Sequence, residues 1–455
     1  MTEFFAECAL LPEGWADRVA ISVDAHGDIV SVTPDADPDP HSIRLRCCLP
    51  GMANLHSHSF QRAMAGLTER RGPGSDSFWS WRKLMYAFNE RLTPDHVEAI
   101  AGLVQVEMLE AGYTSVGEFH YLHHAPDGSR YDDPAEMAGR ICAAAGTSGI
   151  ALTLLPVFYR WSGFGQQAPS EGQRRFLNTP DSYAELHAAA ARHVAVLEHG
   201  QIGIAPHSLR AADLSDIDEI RPLADNAPIH IHIAEQVREV EDCQATTGAR
   251  PVRFLLDHQP VDERWCLVHA THMDAGETGD LARSGAVAGL CPLTEANLGD
   301  GLFPAVDYLA AGGAIGIGSD SHIRIDLAEE IRLLEYGQRL TRRERNVLAE
   351  AGQSTGRRLF EACLAGGARA LMQKQGRLAT GYRADFVELD MDHPSLIGRR
   401  GDSLLDSWLF CGERSLVRSV HVGGTECVRE GRALARDSVD KAWRRAMTDV
   451  MEGLG

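Results

Sequence analysis

Eight short apolar segments alternate with longer helical stretches through the middle of the chain, and this alternation restricts the fold more than any other feature. The segments are rich in small and β-branched residues and lie at 49–55, 114–119, 150–157, 202–206, 229–233, 265–269, 287–291 and 314–319. Helices are predicted between them, for example at 94–111, 134–145, 182–199 and 251–256. Strands that alternate with helices form parallel βα units, and strands that are apolar on both faces are covered on both sides. We therefore predict an α/β fold with a (β/α)8 barrel over residues 49–380.

The two ends of the chain differ from this pattern. Residues 1–48 and 381–435 contain short segments in which apolar and polar residues alternate, as in strands with one exposed face. We predict that both ends together form a small β-sandwich domain, and that residues 436–455 form a closing helix. The long segment 159–180 follows the third barrel strand and is rich in Gly and Gln, which predicts either a lid or a mobile insertion.

The charge balance argues against several classes of partner. Lys and Arg number 44 against 64 Asp and Glu, a net charge of −20, and such a field repels nucleic acid and anionic membranes. No apolar stretch reaches the roughly 18 residues of a membrane span, and Glu3 and Glu7 stand where an export signal would be positively charged.

The 10 cysteines include no CxxC pair, which fits reduced thiols. We expect a cytoplasmic protein, and a homodimer as the commonest assembly.

Polar residues follow six of the eight predicted strands at the point where each strand ends. They are His56-Ser57-His58, Glu118-Phe119-His120-Tyr121, His207-Ser208-Leu209-Arg210, His230-Ile231-His232-Ile233-Ala234-Glu235, His269 and Asp320. Active sites of such barrels are built at the carboxyl ends of the strands. The pattern therefore predicts one site at one rim of the barrel.

The spacing of these residues predicts a metal centre. Side chains two residues apart on a strand point the same way, so His56 and His58 are expected to bind one ion together, with His232 and Asp320 completing the set. Three imidazoles and one carboxylate suit Zn²⁺ or another divalent metal. An isolated HxH pair is more often a pair of ordinary histidines, and the interpretation depends on the whole set. Glu235, three residues beyond a ligand, is placed to carry protons.

Four other histidines are not interpreted as ligands. His230 precedes the better-placed His232, so a packing or supporting role is expected for it. His123, His124 and His272 are expected to be solvated or to cap helices.

Four stretches resemble the amidohydrolase superfamily over the whole barrel. They are GMANLHSHSFQ at 51–61, HIHIAEQ at 230–236, LVHATHMD at 267–274 and IGSDSHI at 317–323. Members with two metal ions use a bridging lysine, commonly on the fourth strand, whereas Lys83, Lys374 and Lys441 all lie away from the predicted strand ends. The resemblance therefore implies the branch of deaminases with a single metal ion, in which Glu235 is the catalytic glutamate.

Within the superfamily, the chain resembles the formimidoylglutamate deiminases. The stretches that carry this resemblance are FQRAMAGLTER, FWSWRKLMYAF, GYTSVGEFHYLHH, HSLRA and CPLTEANLGDGLFP. The resemblance implies a small substrate with a formimino group and two carboxylates, and the enzymes belong to histidine degradation. Arg82 and Arg210 lie on predicted rim loops, where a guanidinium is suited to pairing with a carboxylate. Gln61, Tyr121 and His207 match substrate-binding positions of these enzymes.

The implied reaction is hydrolysis of N-formimidoyl-L-glutamate to N-formyl-L-glutamate and ammonia. Asp320 would accept a proton from the attacking water, Glu235 would protonate the imino nitrogen, and His269 would form a hydrogen bond with the attacking oxygen. A related enzyme would instead cleave the other C–N bond and release formamide.

Two further interpretations fit parts of the sequence. A deaminase of a nucleobase or related heterocyclic amine would need an aromatic platform, for which Phe60, Trp79, Trp81 and Tyr121 are candidates. Two arginines at the site disfavour it, because a neutral ring needs no such pair. A barrel that had lost catalysis and acted as a scaffold would usually lack metal ligands, and here the expected set is complete.

Overall fold

The computed structural model describes residues 1–71 and 78–452, without the side chains of 78–80. Its strands are β1 (Thr2–Leu11), β2 (Gly14–Val23), β3 (Ile29–Thr33), β4 (Ile43–Pro50), β5 (Met52–Ser57), β6 (Tyr113–His120), β7 (Ala151–Phe158), β8 (Gly200–Ile202), β9 (Ala205–Pro206), β10 (Ile229–Ile233), β11 (Trp265–His269), β12 (Val287–Leu290), β13 (Ala314–Ile317), β14 (Phe386–Leu389), β15 (Val417–Val422), β16 (Thr425–Arg429) and β17 (Arg432–Ala433).

The α-helices are α1 (Phe78–Asn89), α2 (Pro94–Glu110), α3 (Glu136–Ser148), α4 (Pro180–Val194), α5 (Leu214–Ile220), α6 (Val237–Thr247), α7 (Pro251–His258), α8 (Ala275–Ser284), α9 (Pro292–Leu298), α10 (Ala305–Ala310), α11 (Leu327–Arg342), α12 (Thr355–Ala370), α13 (Asp402–Cys411) and α14 (Arg436–Glu452). Short 3-10 turns occur at Ser59–Met64, Glu171–Gln173, Arg221–Ala224 and Arg414–Leu416. Within the described ranges, no helix is both long and apolar enough to cross a membrane.

The strands β5 to β13 form the predicted (β/α)8 barrel. They pair in parallel in the order β5-β6-β7-β8 and β10-β11-β12-β13, with β9 beside β7. Single bridges join Ser57 to Asp320 and Ile204 to Ile229, which closes the ring at both gaps. Because β8 and β9 lie end to end along β7, they act as one interrupted fourth strand.

Two predicted strands differ from the structure because glycines interrupt them. The segment 49–55 spans the end of β4 and the start of β5, and a Cβ on the intervening Gly51 would lie 2.3 Å from the side chain of Thr114. The segment 202–206 is likewise divided at Gly203, whose Cβ would lie 2.4 Å from the carbonyl oxygen of Pro228. In both places, only a residue without a side chain allows the backbones to approach so closely.

The two ends of the chain share one sheet, in agreement with the predicted β-sandwich. Its order is β17-β16-β15-β14-β4-β1-β2-β3, and it encloses a small core that includes Phe4, Ile21 and Phe386. The backbone N–H of Ile29, the first residue of β3, donates to the carbonyl of Tyr382, so the end strand β3 also contacts the segment that leads into β14. The helix α14 packs against α2 of the barrel. We propose domain boundaries near residues 48, 381 and 436, although α13 packs against the barrel helices α11 and α12.

Candidate active site

Three buried imidazoles meet at the carboxyl ends of β5 and β10. The Nε2 atom of His56 lies 3.1 Å from that of His58 and 2.9 Å from that of His232. The third pair, His58 and His232, is separated by 3.3 Å. Phe119 packs its ring against all three imidazoles from the interior of the barrel. The structure thus brings together three predicted ligands from two different strands.

The other ring nitrogens determine which atoms face the shared centre. Nδ1 of His58 donates to the carbonyl of Phe119 at 2.8 Å, and Nδ1 of His232 donates to the carbonyl of His207 at 3.1 Å. Because the rings of His58 and His232 have their protons on Nδ1, their Nε2 lone pairs point to the centre. Burial lowers the pKa of His58 to about 3 and that of His56 and His232 well below the usual value.

These residues fit a divalent metal ion. Neutral imidazole lone pairs this close repel one another unless a cation lies between them. Zn–N bonds of about 2.1 Å in a tetrahedral site place the nitrogens about 3.4 Å apart, close to the spacing observed. Oδ1 of Asp320 lies 3.4 Å from Nε2 of His58 and 3.7 Å from Nε2 of His56, which adds an anionic oxygen to the set.

A buried hydrogen-bond network lies behind the predicted ligands. Ser57, between the two histidines of β5, donates to Oε2 of Glu118, and Nε2 of His322 lies 2.9 Å from the Ser57 hydroxyl. Nδ1 of His322 lies 3.0 Å from the hydroxyl of Ser319, the residue before Asp320. The backbone N–H and hydroxyl of Ser59 both donate to Oε1 of Glu118 at 2.8 Å. The network therefore ties the end of β5 to the end of β13.

His269 lies on the opposite side of Asp320 among carboxylates. Its Nε2 is 3.8 Å from Oδ2 of Asp320, and its Nδ1 is 3.3 Å from Oε1 of Glu295. Burial alone would lower the pKa of His269, but the charges of Glu235, Asp320 and Glu295 and the hydrogen bond to Glu295 raise it to about 10. An imidazole in this setting holds a proton that it can donate in a hydrogen bond.

The backbone is strained where these side chains are presented. Ala234, His269 and Asp320 have φ angles of 51°, 67° and 44°, in the left-handed region that non-glycine residues avoid. Such angles cost about 1–3 kcal/mol each and are typical of functional sites. The turn at Ala234 places Glu235 at the cavity, and the backbone N–H of Glu235 donates to Glu239 at 3.2 Å.

A cavity opens above the imidazoles. The five predicted substrate-binding residues all line it, together with Glu235, His269 and Asp320: Gln61, Arg82, Tyr121, His207 and Arg210. Nε2 of Gln61 donates to the hydroxyl of Tyr121 at 2.9 Å. Of the candidate aromatic platform, Trp81 and Tyr121 line the cavity, Phe60 packs behind Tyr121, and the Trp79 side chain lies outside the described residues.

The segment 159–180 forms part of the cavity wall. Tyr159 and Phe176 line the cavity and are 1% exposed, and Tyr159 forms a bridge with Leu177. The guanidinium of Arg175 is buried and donates to the carbonyl of His124 at 2.8 Å. Sequence reasoning missed Tyr86, Tyr159 and Phe176 as lining residues, because their approach depends on how this segment packs.

All four histidines that are not predicted as ligands donate to backbone carbonyls, and His272 does so to Asp300 at 2.8 Å. His230 is fully buried and its Nε2 donates to the carbonyl of Ala370 at 2.8 Å, which matches a packing role. The expectation for His123 and His124 was wrong in detail. Both are buried, and they donate to the carbonyls of Val157 and Leu177 from segments that surround the site.

Comparison with known proteins places the chain in one family. A model described as the amidohydrolase family matches residues 48–427. The chain belongs to the amidohydrolase family. A second model, the N-terminal domain of formimidoylglutamate deiminase HutF, matches residues 1–44. Family membership and the buried histidine cluster together support a metal ion as the cofactor of a hydrolytic enzyme.

Individual relatives are similar to this chain over almost the full length of both proteins. The chain is 51% identical over 454 residues to a formimidoylglutamate deiminase from Pseudomonas aeruginosa, covering 99% of this chain and 100% of the relative. A crystal structure of an amidohydrolase from Brucella melitensis has a TM-score of 0.95 at 51% identity, with coverage of 99% and 100%. Atrazine chlorohydrolase TrzN from Arthrobacter aurescens TC1, solved in complex with zinc, shares the fold at a TM-score of 0.85, 20% identity and coverage of 99% and 100%.

Proposed function

We propose that the protein hydrolyses N-formimidoyl-L-glutamate to N-formyl-L-glutamate and ammonia, a step of histidine degradation. The observation that carries this proposal is that Arg82 and Arg210 line the same cavity as the histidine cluster and Glu235. Two guanidinium groups suit a substrate with two carboxylates and are unnecessary for a neutral heterocyclic amine. The 51% identity to a formimidoylglutamate deiminase over the full length supports the same substrate.

We further propose that one Zn²⁺ ion is held by His56, His58, His232 and Asp320. The three converging Nε2 atoms and the nearby carboxylate oxygen support this ligand set. A divalent metal supplies Lewis-acid activation of water at neutral pH. We propose that the protein acts as a cytoplasmic homodimer, the commonest assembly. Its negative charge disfavours nucleic-acid partners.

Two carboxylates of this chain are proposed to carry out the proton transfers. Asp320 is proposed to accept the proton of the attacking water, since its second oxygen faces His269 and its first faces the imidazoles. Glu235 is proposed to deliver a proton to the imino nitrogen, which leaves as ammonia after the C–N bond breaks. The left-handed turn at Ala234 holds Glu235 beside the cluster without making it a ligand.

His269 is proposed to stabilise the charge that develops on the attacking oxygen. Its protonated ring is oriented by Glu295, so a donor is in place before the reaction begins. Arg82 and Arg210 are proposed to hold the two carboxylates of the substrate, so that the amidine carbon approaches the cluster in a reactive orientation. Gln61, Tyr121 and His207 complete the binding surface.

The test is ammonia release from N-formimidoyl-L-glutamate by the zinc-loaded protein, with the other product identified by mass spectrometry. Release of ammonia with N-formyl-L-glutamate is the expected result. Formamide and glutamate would show that the other C–N bond is cleaved, and would overturn the proton pathway above. No turnover of this substrate, with turnover of a heterocyclic amine in the same assay, would overturn the proposed function.

A further inference from the structure

The two arginines of the cavity are connected through a chain of hydrogen bonds that includes two tyrosines. Nε of Arg82 donates to the hydroxyl of Tyr86, one turn further along α1. Nη1 of Arg210 lies 3.5 Å from the hydroxyl of Tyr159. Between the tyrosines lies Gln173, whose Nε2 is 2.6 Å from the Tyr159 hydroxyl and 3.4 Å from the Tyr86 hydroxyl.

The orientation of the Gln173 amide is fixed by its other end. Its Oε1 accepts hydrogen bonds from the backbone N–H of Ser170 at 2.8 Å and from the Ser170 hydroxyl at 3.0 Å. The side chain is fully buried, so the amide cannot turn to solvent. The NH₂ group must therefore face the two tyrosines, and both hydroxyls accept from it.

Each tyrosine hydroxyl is thus an acceptor from an amide and from a guanidinium. A guanidinium and an amide NH₂ only donate, so the proton of each hydroxyl is not used in these contacts. Among the hydrogen bonds of the described residues, neither hydroxyl donates to the protein. Both tyrosines line the cavity, where a ligand acceptor is available to that proton.

We propose that Tyr86 and Tyr159 are further substrate-binding residues, each donating to the carboxylate that its neighbouring arginine holds, with Gln173 as the positioning residue between them. The identity of the dicarboxylate rests on the proposed function, whereas the binding of two carboxylates does not. Arg82 with Tyr86 forms one carboxylate subsite, and Arg210 with Tyr159 forms the other. Because Gln173 donates to both hydroxyls, each hydroxyl keeps its own proton for the substrate. Gln173 also connects the two subsites.

Packing holds the two rings in place for this role. A Cβ on Gly172 would lie 3.0 Å from the Tyr86 ring, so the wall segment contacts that ring with backbone alone. The Phe176 ring packs against the rings of both Tyr86 and Tyr159, with centroids 5.9 and 5.8 Å away. Rings that are already fixed lose little conformational entropy when the substrate binds.

The test measures binding by titration calorimetry on the zinc-loaded protein. The probes are N-formyl-L-glutamate and two analogues that each lack one carboxylate, N-formyl-4-aminobutyrate and N-formyl-L-2-aminobutyrate. Tyr86→Phe and Tyr159→Phe should each weaken binding of the dicarboxylate about tenfold or more, since a hydrogen bond to a charged group is lost. Each variant should weaken binding of one analogue much less, namely the analogue without its carboxylate. Tyr336→Phe, at the distant contact with Phe410, is the matched control.

A second variant tests the direction of the hydrogen bonds between Gln173 and the two tyrosines. Gln173→Glu keeps the size of the side chain and the acceptor for Ser170, but its carboxylate accepts hydrogen bonds from both tyrosine hydroxyls instead of donating to them. Binding of N-formyl-L-glutamate should weaken more than tenfold, with the melting temperature as the control for folding, and Gln173→Met should weaken it less.

The outcomes separate this inference from the proposed function. Losses of equal size for all three probes, or no loss in the Tyr→Phe variants, would overturn the inference even if wild-type protein releases ammonia from N-formimidoyl-L-glutamate. Tyrosine-dependent binding of the dicarboxylate without ammonia release would support the inference and overturn the proposed function.

Discussion

Glu118 accepts a hydrogen bond from Ser57, the residue between the two histidines of β5. Its second oxygen accepts two more from Ser59, so one buried carboxyl holds the strand end on both sides of His58. Partners of this kind, one contact behind a ligand, orient the ligand and commonly change metal affinity 10- to 100-fold.

Glu118→Gln should therefore lower zinc affinity by about 10- to 100-fold, because an amide nitrogen would face either the Ser57 hydroxyl or the Ser59 N–H. Competition with a chromophoric chelator measures the change. Glu185→Gln, at an exposed site on α4, is the control. An unchanged zinc Kd in Glu118→Gln would contradict the role assigned to this carboxyl.

Glu235→Gln should keep the metal and lose catalysis. The residue lines the cavity but is not among the converging imidazoles, so the metal content should equal that of the wild type. Without a proton carrier, kcat should fall about 10²- to 10⁴-fold. Elemental analysis and initial rates are measured together, with Glu241→Gln on the exposed face of α6 as control. Turnover within a few-fold of wild type would rule out the proton-transfer role.

The neighbours His230 and His232 should respond in opposite ways. His232→Gln should lose bound metal, because its Nε2 is one of the three that converge. His230→Gln should keep stoichiometric metal and lose about 1–3 kcal/mol of unfolding free energy, since the buried carbonyl of Ala370 loses its partner. Metal analysis and urea unfolding distinguish the two. Loss of metal in both variants would contradict this assignment.

Acid should destabilise the terminal sheet through His421. Burial lowers the pKa of His421 to about 4, while the unfolded chain has the ordinary value of about 6.5. The unfolded state therefore binds the proton first, and stability falls between pH 6.5 and pH 4 by about 3 kcal/mol. His421→Gln should flatten the pH dependence of the unfolding free energy by that amount. If the unfolding free energies of variant and wild type depend on pH in the same way, the pKa of His421 does not differ between the folded and unfolded states.

The barrel was predictable because its strands are apolar on both faces, and 229–233 and 265–269 agree with β10 and β11 in both bounds. The junction between β4 and β5 was not, because a single residue, Gly51, separates two buried strands that belong to different sheets. A run of apolar residues does not indicate which sheet its strands belong to. Only the close approach of Thr114 requires the break.

The convergence of the histidines was also predictable, because spacing along β5 and the carboxyl ends of parallel strands determine it. The network of Tyr86, Gln173 and Tyr159 was not, since Tyr86 lies far in sequence from the other two residues and no motif joins the three. Their meeting depends on the path of the segment 159–180, which tertiary packing alone decides. Glu118 was noticed as a polar residue at a strand end, but its partners became evident only in three dimensions.

The pairing of β14 with β4 has a consequence for synthesis of the protein. Leu49 pairs with Val387, so the edge of β4 has no partner until most of the chain has left the ribosome. The first four strands can form a small sheet earlier, but its open edge is a template for pairing with other chains during that interval. Completion of this sheet is therefore a late event in biogenesis, and a chain truncated before Phe386 would keep the open edge permanently.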